Sequence, residues 1–335
     1  MMPYPVPGDF RVPYDDLHVV ARNLVRPECV LAFDDGSLIA AHGSGGYSLV
    51  SSTGDVTHYV ERTGGDRRYV PNGIALAPDG RVLFADLGSR YGGIFSIDRQ
   101  GGLATVVDAI DGVALPPSNF VMVDEHDLLW LTVSTRNVPR SRSWNHKVRD
   151  GFIAVIGRND SRILADDLGY TNEIAFTADR RWVYVNETYA QRISRFPLNG
   201  TADQPQLGPR ETVAQLYGAD LPDGLAFDSH GGLWVTCIAS NKVLLVRPDG
   251  DVQTVVDDGD PVHIERITKG VRDGTLEHAD MQTPGNSRLG NVSSIAFGGP
   301  DMCTAYLGCL LDDCIRSFRS PVPGLPLPHR NRRIR

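Results

Sequence analysis

Leu221-Pro-Asp-Gly-Leu-Ala-Phe-Asp-Ser-His-Gly-Gly-Leu-Trp-Val-Thr236 is one copy of a unit that the chain repeats. It reads as a polar residue, a short apolar strand over Leu225–Phe227, a turn over Asp228–Gly232, and a second apolar strand over Leu233–Thr236. Looser copies open at Glu28-Cys-Val-Leu-Ala-Phe, Asn72-Gly-Ile-Ala-Leu-Ala, Asn119-Phe-Val-Met-Val, Asn172-Glu-Ile-Ala-Phe and Asn291-Val-Ser-Ser-Ile-Ala-Phe. From Glu28 through Asn72, Asn119, Asn172, Asp223 and Asn291 the steps are 44, 47, 53, 51 and 68 residues. A four-stranded propeller blade takes about forty to fifty residues. The spacing therefore predicts an all-β fold, a six-bladed β-propeller of four-stranded blades forming a single domain over 1–335. A β-sandwich with similar hairpins is the rival, but unrelated hairpins would not repeat a carboxylate or carboxamide at one phase.

Composition supports this reading. Thirty-five Gly and 22 Pro suit short strands and tight turns, and no long apolar stripe of helical period appears, so helix is expected to be minor. Within the copies, Ser44–Val50 and Gly54–Val60, Gly92–Asp98 and Gly102–Val107, or Lys242–Val246 and Gly250–Val256 supply the outer strand pairs. A strand near 18–26 is expected to close the last blade, because joining the chain ends in one sheet removes an exposed edge. Two stretches break the regularity, a loop insertion near 137–149 and another near 264–288. If they lie over the central opening, Trp144, His146 and His263 become substrate contacts; otherwise they are surface loops.

A formal net charge of -8 with scattered basic residues argues against a nucleic-acid partner. No apolar run reaches membrane-spanning length, so a soluble cytoplasmic protein with no membrane partner is expected. The basic tail 330–335 and the Arg180-Arg181 pair read as solvated surface or a frayed end. Cys29, Cys237, Cys303, Cys309 and Cys314 match no zinc or redox spacing and read as small buried hydrophobes; Cys303 and Cys309 both lie around the second strand of the sixth copy, and whether they touch is left open by the sequence.

The phase of the repeat carries the chemistry. Equivalent positions in a radial array converge on the axis, so Glu28, Asn72, Asn119, Asn172, Asp223 and Asn291 should meet there. Singly, Asn and Asp before Gly are ordinary turn formers. Together they make a ring of oxygens that is costly to bury unless a ligand satisfies it. A hard divalent cation does so, and Ca²⁺, with about six to eight oxygen ligands in loose geometry, fits best. Zn²⁺, Mn²⁺ and Mg²⁺ remain open.

The pieces Pro71-Asn-Gly-Ile-Ala, Asn172-Glu-Ile-Ala-Phe, Leu221-Pro-Asp-Gly-Leu-Ala-Phe-Asp, Gly232-Leu-Trp-Val and Ile295-Ala-Phe-Gly-Gly-Pro-Asp resemble the senescence marker protein / gluconolactonase / luciferin-regenerating enzyme family over about Glu28 to Phe318. The resemblance implies a six-bladed propeller lactonase with one catalytic divalent ion in its central tunnel. It places the metal ligands on Glu28, Asn172 and Asp223, with Asn119 as a further ligand or substrate contact. It also makes Asp223 the base that activates water, with Glu28 as the second catalytic carboxylate. Asn72 and Phe120 would line the substrate side. Two departures stand out: the family's Gly-Glu-Gly-Pro is Pro27-Glu28-Cys29-Val30 here, and Phe120 follows Asn119 where many members have Asp. Phe120 suits the pocket less to a polyhydroxylated sugar lactone. The expected function is metal-dependent hydrolysis of a small lactone or related ester. The alternatives are phosphotriester-type hydrolysis on the same fold and a non-catalytic binding propeller. Glu173, next to Asn172, is an alternative base, but if Asn172 points inward strand alternation is expected to turn Glu173 to the opposite face.

Overall fold

The computed structural model describes residues 4–62, 67–158 and 160–334. Among them the strands form six radial antiparallel sheets, five of four strands as expected and the fourth of five, because Pro205–Leu207 pairs with the end of Arg192–Gly200 beside Glu211–Gln215; a separate hairpin joins Ala109–Ile110 to Val113–Ala114. The first blade runs Val30–Ala32, Leu38–His42, Gly46–Val50 and Val56–Val60, from the axis outward. The inner strands of the next blades are Pro71–Leu76, Phe120–Val123, Thr171–Phe176, Pro222–Phe227 and Val292–Gly298. Pro71–Leu76, Thr171–Phe176 and Val292–Gly298 are buried at every position, whereas the outer strand Leu103–Val107 is exposed along its middle. Inner strands are covered on both faces by neighbouring blades, which is why they read as continuous apolar runs rather than as alternation.

The far end of each inner strand turns through a hairpin, and two of the turns are locked from within. Asp124 accepts the Trp130 indole N–H at 2.9 Å, and Asp228 accepts that of Trp234 at 3.0 Å. Each carboxylate thereby satisfies a buried indole while also taking two backbone N–H groups of its own turn.

The sixth blade takes its outer strand from His18–Ala21, antiparallel to Ile315–Arg319 with His18 opposite Ser317. The strand stops at Ala21 because Asn23 (φ 62°) and Arg26 (φ 52°) adopt left-handed backbone that no strand continues through. The preceding segment covers the edge of the fifth blade: Val12 N–H donates to Val255 O at 2.8 Å, and Gln253 reaches Pro7 O and Phe10 O.

Two expectations need correction, and one open question closes. The 264–288 insertion is a helix, Pro261–Asp273, followed by a 3-10 turn, His278–Gln282. Asp260 caps it through the Val262 N–H, and Gly274 (φ 67°) ends it in the left-handed region. The basic tail is no frayed end: Arg330 pairs with Asp34, and Arg332 donates to Leu76 O at 2.8 Å and to Asp127 at 2.8 Å. Arg335 lies outside the described residues. Arg180 likewise sits 4.5 Å from the Phe176 ring centroid and pairs with Glu125. Finally, all five cysteines are free thiols, and the contact of Cys309 Sγ is with Cys314 O and Asp312 O rather than with Cys303.

Candidate active site

Four inner strands open with a break in their ladder, between Pro71 and Ile74, Thr171 and Ile174, Pro222 and Leu225, and Val292 and Ser294. A bulge of this kind suspends strict alternation and re-aims side chains. Three of these bulges fall on Asn72-Gly73, Asn172-Glu173 and Asp223-Gly224. Gly73 and Gly224 have no room for a side chain, since a Cβ would lie 2.6 Å from Phe120 Cα and 2.4 Å from Ser293 O respectively. The fourth blade carries Glu173 instead, whose Oε2 accepts the Leu225 N–H at 3.1 Å across the blade boundary. Alternation alone sent Glu173 away from the axis. The bulge brings it back, and it lines an axial cavity of about 60 Å³ together with Cys29, Phe120 and Leu225.

Above that cavity the expected residues gather in two hydrogen-bonded groups. In the first, Asn72 Nδ2 donates to Glu28 Oε1 at 2.8 Å and to Asn119 O at 3.0 Å. Asn119 Nδ2 in turn donates to Ser134 Oγ at 2.9 Å. In the second, Asn172 Nδ2 donates to Thr188 Oγ1 at 3.1 Å and makes a very short contact with Asp223 Oδ1. Asn186 Nδ2 fixes the backbone beneath, donating to Asp223 O at 2.8 Å. Glu28, Asn172, Asp223 and Glu173 are 3%, 3%, 4% and 5% exposed, so their charges act with little solvent screening.

The electrostatics show that the groups share one centre. Burial pushes the Glu28 carboxyl up to about 7, against the pull of Arg26, Arg140 and the Asn72 hydrogen bond. Asp223 is raised well above its ordinary value by burial and by the Glu28 charge. Glu173 is raised by burial and by Glu28 as well. Two acceptors at this centre, Glu28 Oε2 and Asn172 Oδ1, are buried with no hydrogen-bond partner. Each unsatisfied buried acceptor costs about 1–3 kcal/mol. Oxygens left bare beside carboxylates are the donor set a hard divalent cation takes, so the residues present fit such an ion.

Asn291 stays out of this ring. It has left-handed backbone (φ 62°), receives the Asn241 carboxamide oxygen on its N–H at 2.8 Å, and donates to Met281 O. It lies two residues ahead of the position that Asn72, Asn172 and Asp223 occupy in their strands; that position is Ser293, which donates to Glu28 O at 2.8 Å and reaches the first blade instead.

Both insertions meet over this end of the axis. Trp144 stacks on Tyr189 (centroids 6.0 Å) and on His278 (5.9 Å), and its indole N–H donates to the Tyr170 hydroxyl at 3.0 Å. His263 is buried in the helix, and its Nε2 has no partner. His146 is exposed at the edge of its insertion. Two residues at the centre escaped the sequence reading. Arg26 is half-buried and donates to Asn72 Oδ1 at 2.7 Å and to Pro71 O at 3.0 Å, and Arg140 sits on the 3-10 turn Arg140–Ser143. Arg26 adjoins Pro27-Glu28, a position that hinted at it; Arg140 lies in an insertion with no periodicity to read.

Comparison with known proteins agrees in fold and family. A family model described as the SMP-30/gluconolactonase/LRE-like region matches residues 89–269. A 6-deoxy-6-sulfogluconolactonase of Pseudomonas putida is 25% identical over 252 residues, covering 70% of this chain and 73% of that protein. Among solved structures, a gluconolactonase from Xanthomonas campestris superposes with a TM-score of 0.66 at 17% identity, over 91% of this chain and 89% of that one. The calcium-binding protein regucalcin from Agrobacterium tumefaciens gives 0.65 at 16% identity, over 95% and 98%. At such identities the structural likenesses establish the propeller alone.

Proposed function

The chain belongs to the SMP-30/gluconolactonase/LRE-like family, and on that footing we propose that it is a divalent-cation-dependent hydrolase of a lactone or related ester. The observation that carries this is the pair of bare, buried oxygens, Glu28 Oε2 and Asn172 Oδ1, beside the Asp223 carboxylate. Glu28, Asn172 and Asp223 would hold the ion, with the Asn119 carboxamide as a fourth contact. When bound, a divalent cation polarises the carbonyl of the substrate and offsets the charge that develops on its oxygen.

The rest of the work falls to the chain. Asn72 holds Glu28 Oε1, leaving Oε2 without a partner. Asn186 anchors the Asp223 backbone, and Asn172 fixes one Asp223 oxygen. Asp223 is placed to take a proton from water as the new C–O bond forms at the carbonyl carbon. It returns that proton to the ring oxygen as the ring C–O bond breaks. Burial and Glu28 raise its proton affinity, which favours the role; a bound cation acts the other way. The Trp144, Tyr170 and Tyr189 cluster keeps this end of the axis from bulk water, which strengthens every charge interaction inside it.

The test is hydrolysis of aliphatic and aromatic lactones by metal-stripped protein, with Ca²⁺, Mn²⁺ or Zn²⁺ restored singly. Turnover lost on stripping and regained with a cation is expected. Turnover indifferent to chelation, or protein that binds none of the three ions, would overturn the proposal.

A further inference from the structure

Arg26 and Arg140 approach the same carboxylates but are used differently. Arg26 spends its donors on the scaffold, on Asn72 Oδ1 and Pro71 O. Arg140 forms no ion pair among the described residues, and its Nε is buried without an acceptor. No other buried arginine nitrogen among the described residues is left so. A guanidinium N–H stripped of water and given nothing in return costs about 1–3 kcal/mol or more, and a fold keeps such a group for a partner that arrives from outside.

The surroundings hold Arg140 in place. Its turn is fastened by Ser143 Oγ to Thr135 Oγ1 at 2.6 Å and by Asn137 Nδ2 to Ser143 Oγ at 3.0 Å and Asp150 Oδ2 at 3.1 Å. Its guanidinium carbon lies 5.5 Å from the Tyr170 ring centroid, and the Tyr170 hydroxyl is taken by Trp144. Tyr170 in turn packs edge-on against Tyr189 with ring centroids 4.7 Å apart, and the Arg140 charge acts on Tyr189, Glu28 and Asp223 alike. Three carboxylates, Glu28, Glu173 and Asp223, face two guanidinium groups there. A divalent ion among the oxygens would leave the centre one positive charge in excess.

We infer that Arg140 binds a negatively charged group of the substrate, so that the compound turned over is an anionic lactone carrying a carboxylate, sulfonate or phosphate near its ring. The planar fork of a guanidinium pairs such oxyanions through two parallel hydrogen bonds. The aromatic cap that carries Arg140 then sets specificity while the ring of oxygens beneath carries out the chemistry. The word lactone in this inference rests on the function proposed above; the anion site does not.

The experiment compares a lactone with its carboxylate- and sulfonate-substituted forms on the wild type, Arg140→Gln and Arg140→Lys. KM for the charged lactones should rise about 10- to 100-fold in Arg140→Gln, with the neutral lactone changed less than about threefold and Arg140→Lys intermediate. Calorimetric binding of a non-hydrolysable lactam carboxylate, with and without Ca²⁺, reads the same site without turnover. Its affinity should drop by a like factor in Arg140→Gln, even if no lactone is hydrolysed, in which event the lactonase reading alone fails. Equal losses on neutral and charged lactones, confined to kcat, would make Arg140 a transition-state group and overturn the inference. Unchanged lactam carboxylate affinity would overturn it too. Should Arg140→Gln not fold, Arg140→Lys carries the test with a smaller shift in the same direction.

Discussion

The two ends of the propeller axis use the same six inner strands for opposite ends. Where those strands begin, bulges turn Asn72, Asn172, Glu173 and Asp223 toward one another, carboxylates repel, and two oxygens stand bare. Where they finish, a C-terminal strap crosses beneath them. Leu325 N–H donates to Phe227 O in the fifth blade, His329 Nε2 meets Ala32 O in the first, and Arg332 reaches the second and third. Leu325 and Leu327 close the cavity that Phe120, Phe176 and Phe297 line from above. One end holds strained polarity, and the other end closes apolar surface and satisfies backbone carbonyls. The stability that tolerates the first comes in part from the second.

The sharpest way to break this comparison is Asp223→Asn. Activity should fall about 10²- to 10⁴-fold, while the melting temperature of the cation-free protein rises, because a buried charge beside Glu28 has gone. A variant both inactive and markedly less stable would show that Asp223 supports the fold rather than the reaction. Leu327→Asp probes the other end. A carboxylate placed against the apolar cavity should cost about 2 kcal/mol in denaturant unfolding and leave kcat within about threefold; a large kcat loss with stability intact would mean that the two ends are not independent.

The smallest and most telling difference is in pH. Glu28 is raised from 4.5 to about 7, so its folded form holds a proton more tightly than the unfolded chain does. Its contribution is full below pH 4.5 and is lost as pH rises through about 7. His329 is lowered from 6.5 to about 4 by burial beneath the strap. Its contribution is present above pH 6.5 and is lost as pH falls through about 4. Melting temperatures of metal-stripped protein should therefore decline on both sides. Glu28→Gln should make the alkaline limb shallower and leave the acid limb unchanged, Asp223 and Glu173 carrying the rest of the alkaline decline, and His329→Gln should make only the acid limb shallower; exchanged or unaltered limbs would dissolve the distinction between the ends.

Much of this was legible in the chain. A strand buried on both faces must read as an apolar run, and a blade must recur at its own length, so six openings at one phase disclosed six inner strands. The same phase gathered Glu28, Asn72, Asn119, Asn172 and Asp223. It failed at Glu173 because a bulge shifts register by a residue, and a pattern of period two carries no mark of the shift; it failed at Asn291 because an asparagine there stands two positions ahead of Ser293, the residue that aligns with Asp223 when Ser293-Ser-Ile-Ala-Phe is laid on Asp223-Gly-Leu-Ala-Phe. The helix at Pro261–Asp273 did carry its marks, Asp260 before Pro261 and Gly274 after Asp273, but reading the insertion from Ile264 passed over the opening signal. The strap offered none. Its residues lie across strand ends from several blades, so Leu325, Leu327 and His329 follow no period at all.

The seam between His18–Ala21 and Ile315–Arg319 has a consequence in time. At roughly 5–20 residues per second, a ribosome needs about 15 to 60 s between completing the first of these strands and completing the second. For that interval five blades can stack while the first-made strand waits with an open edge, the kind of surface that recruits other chains. A slowed ribosome lengthens the exposure, and a nascent chain halted before Ile315 never ends it.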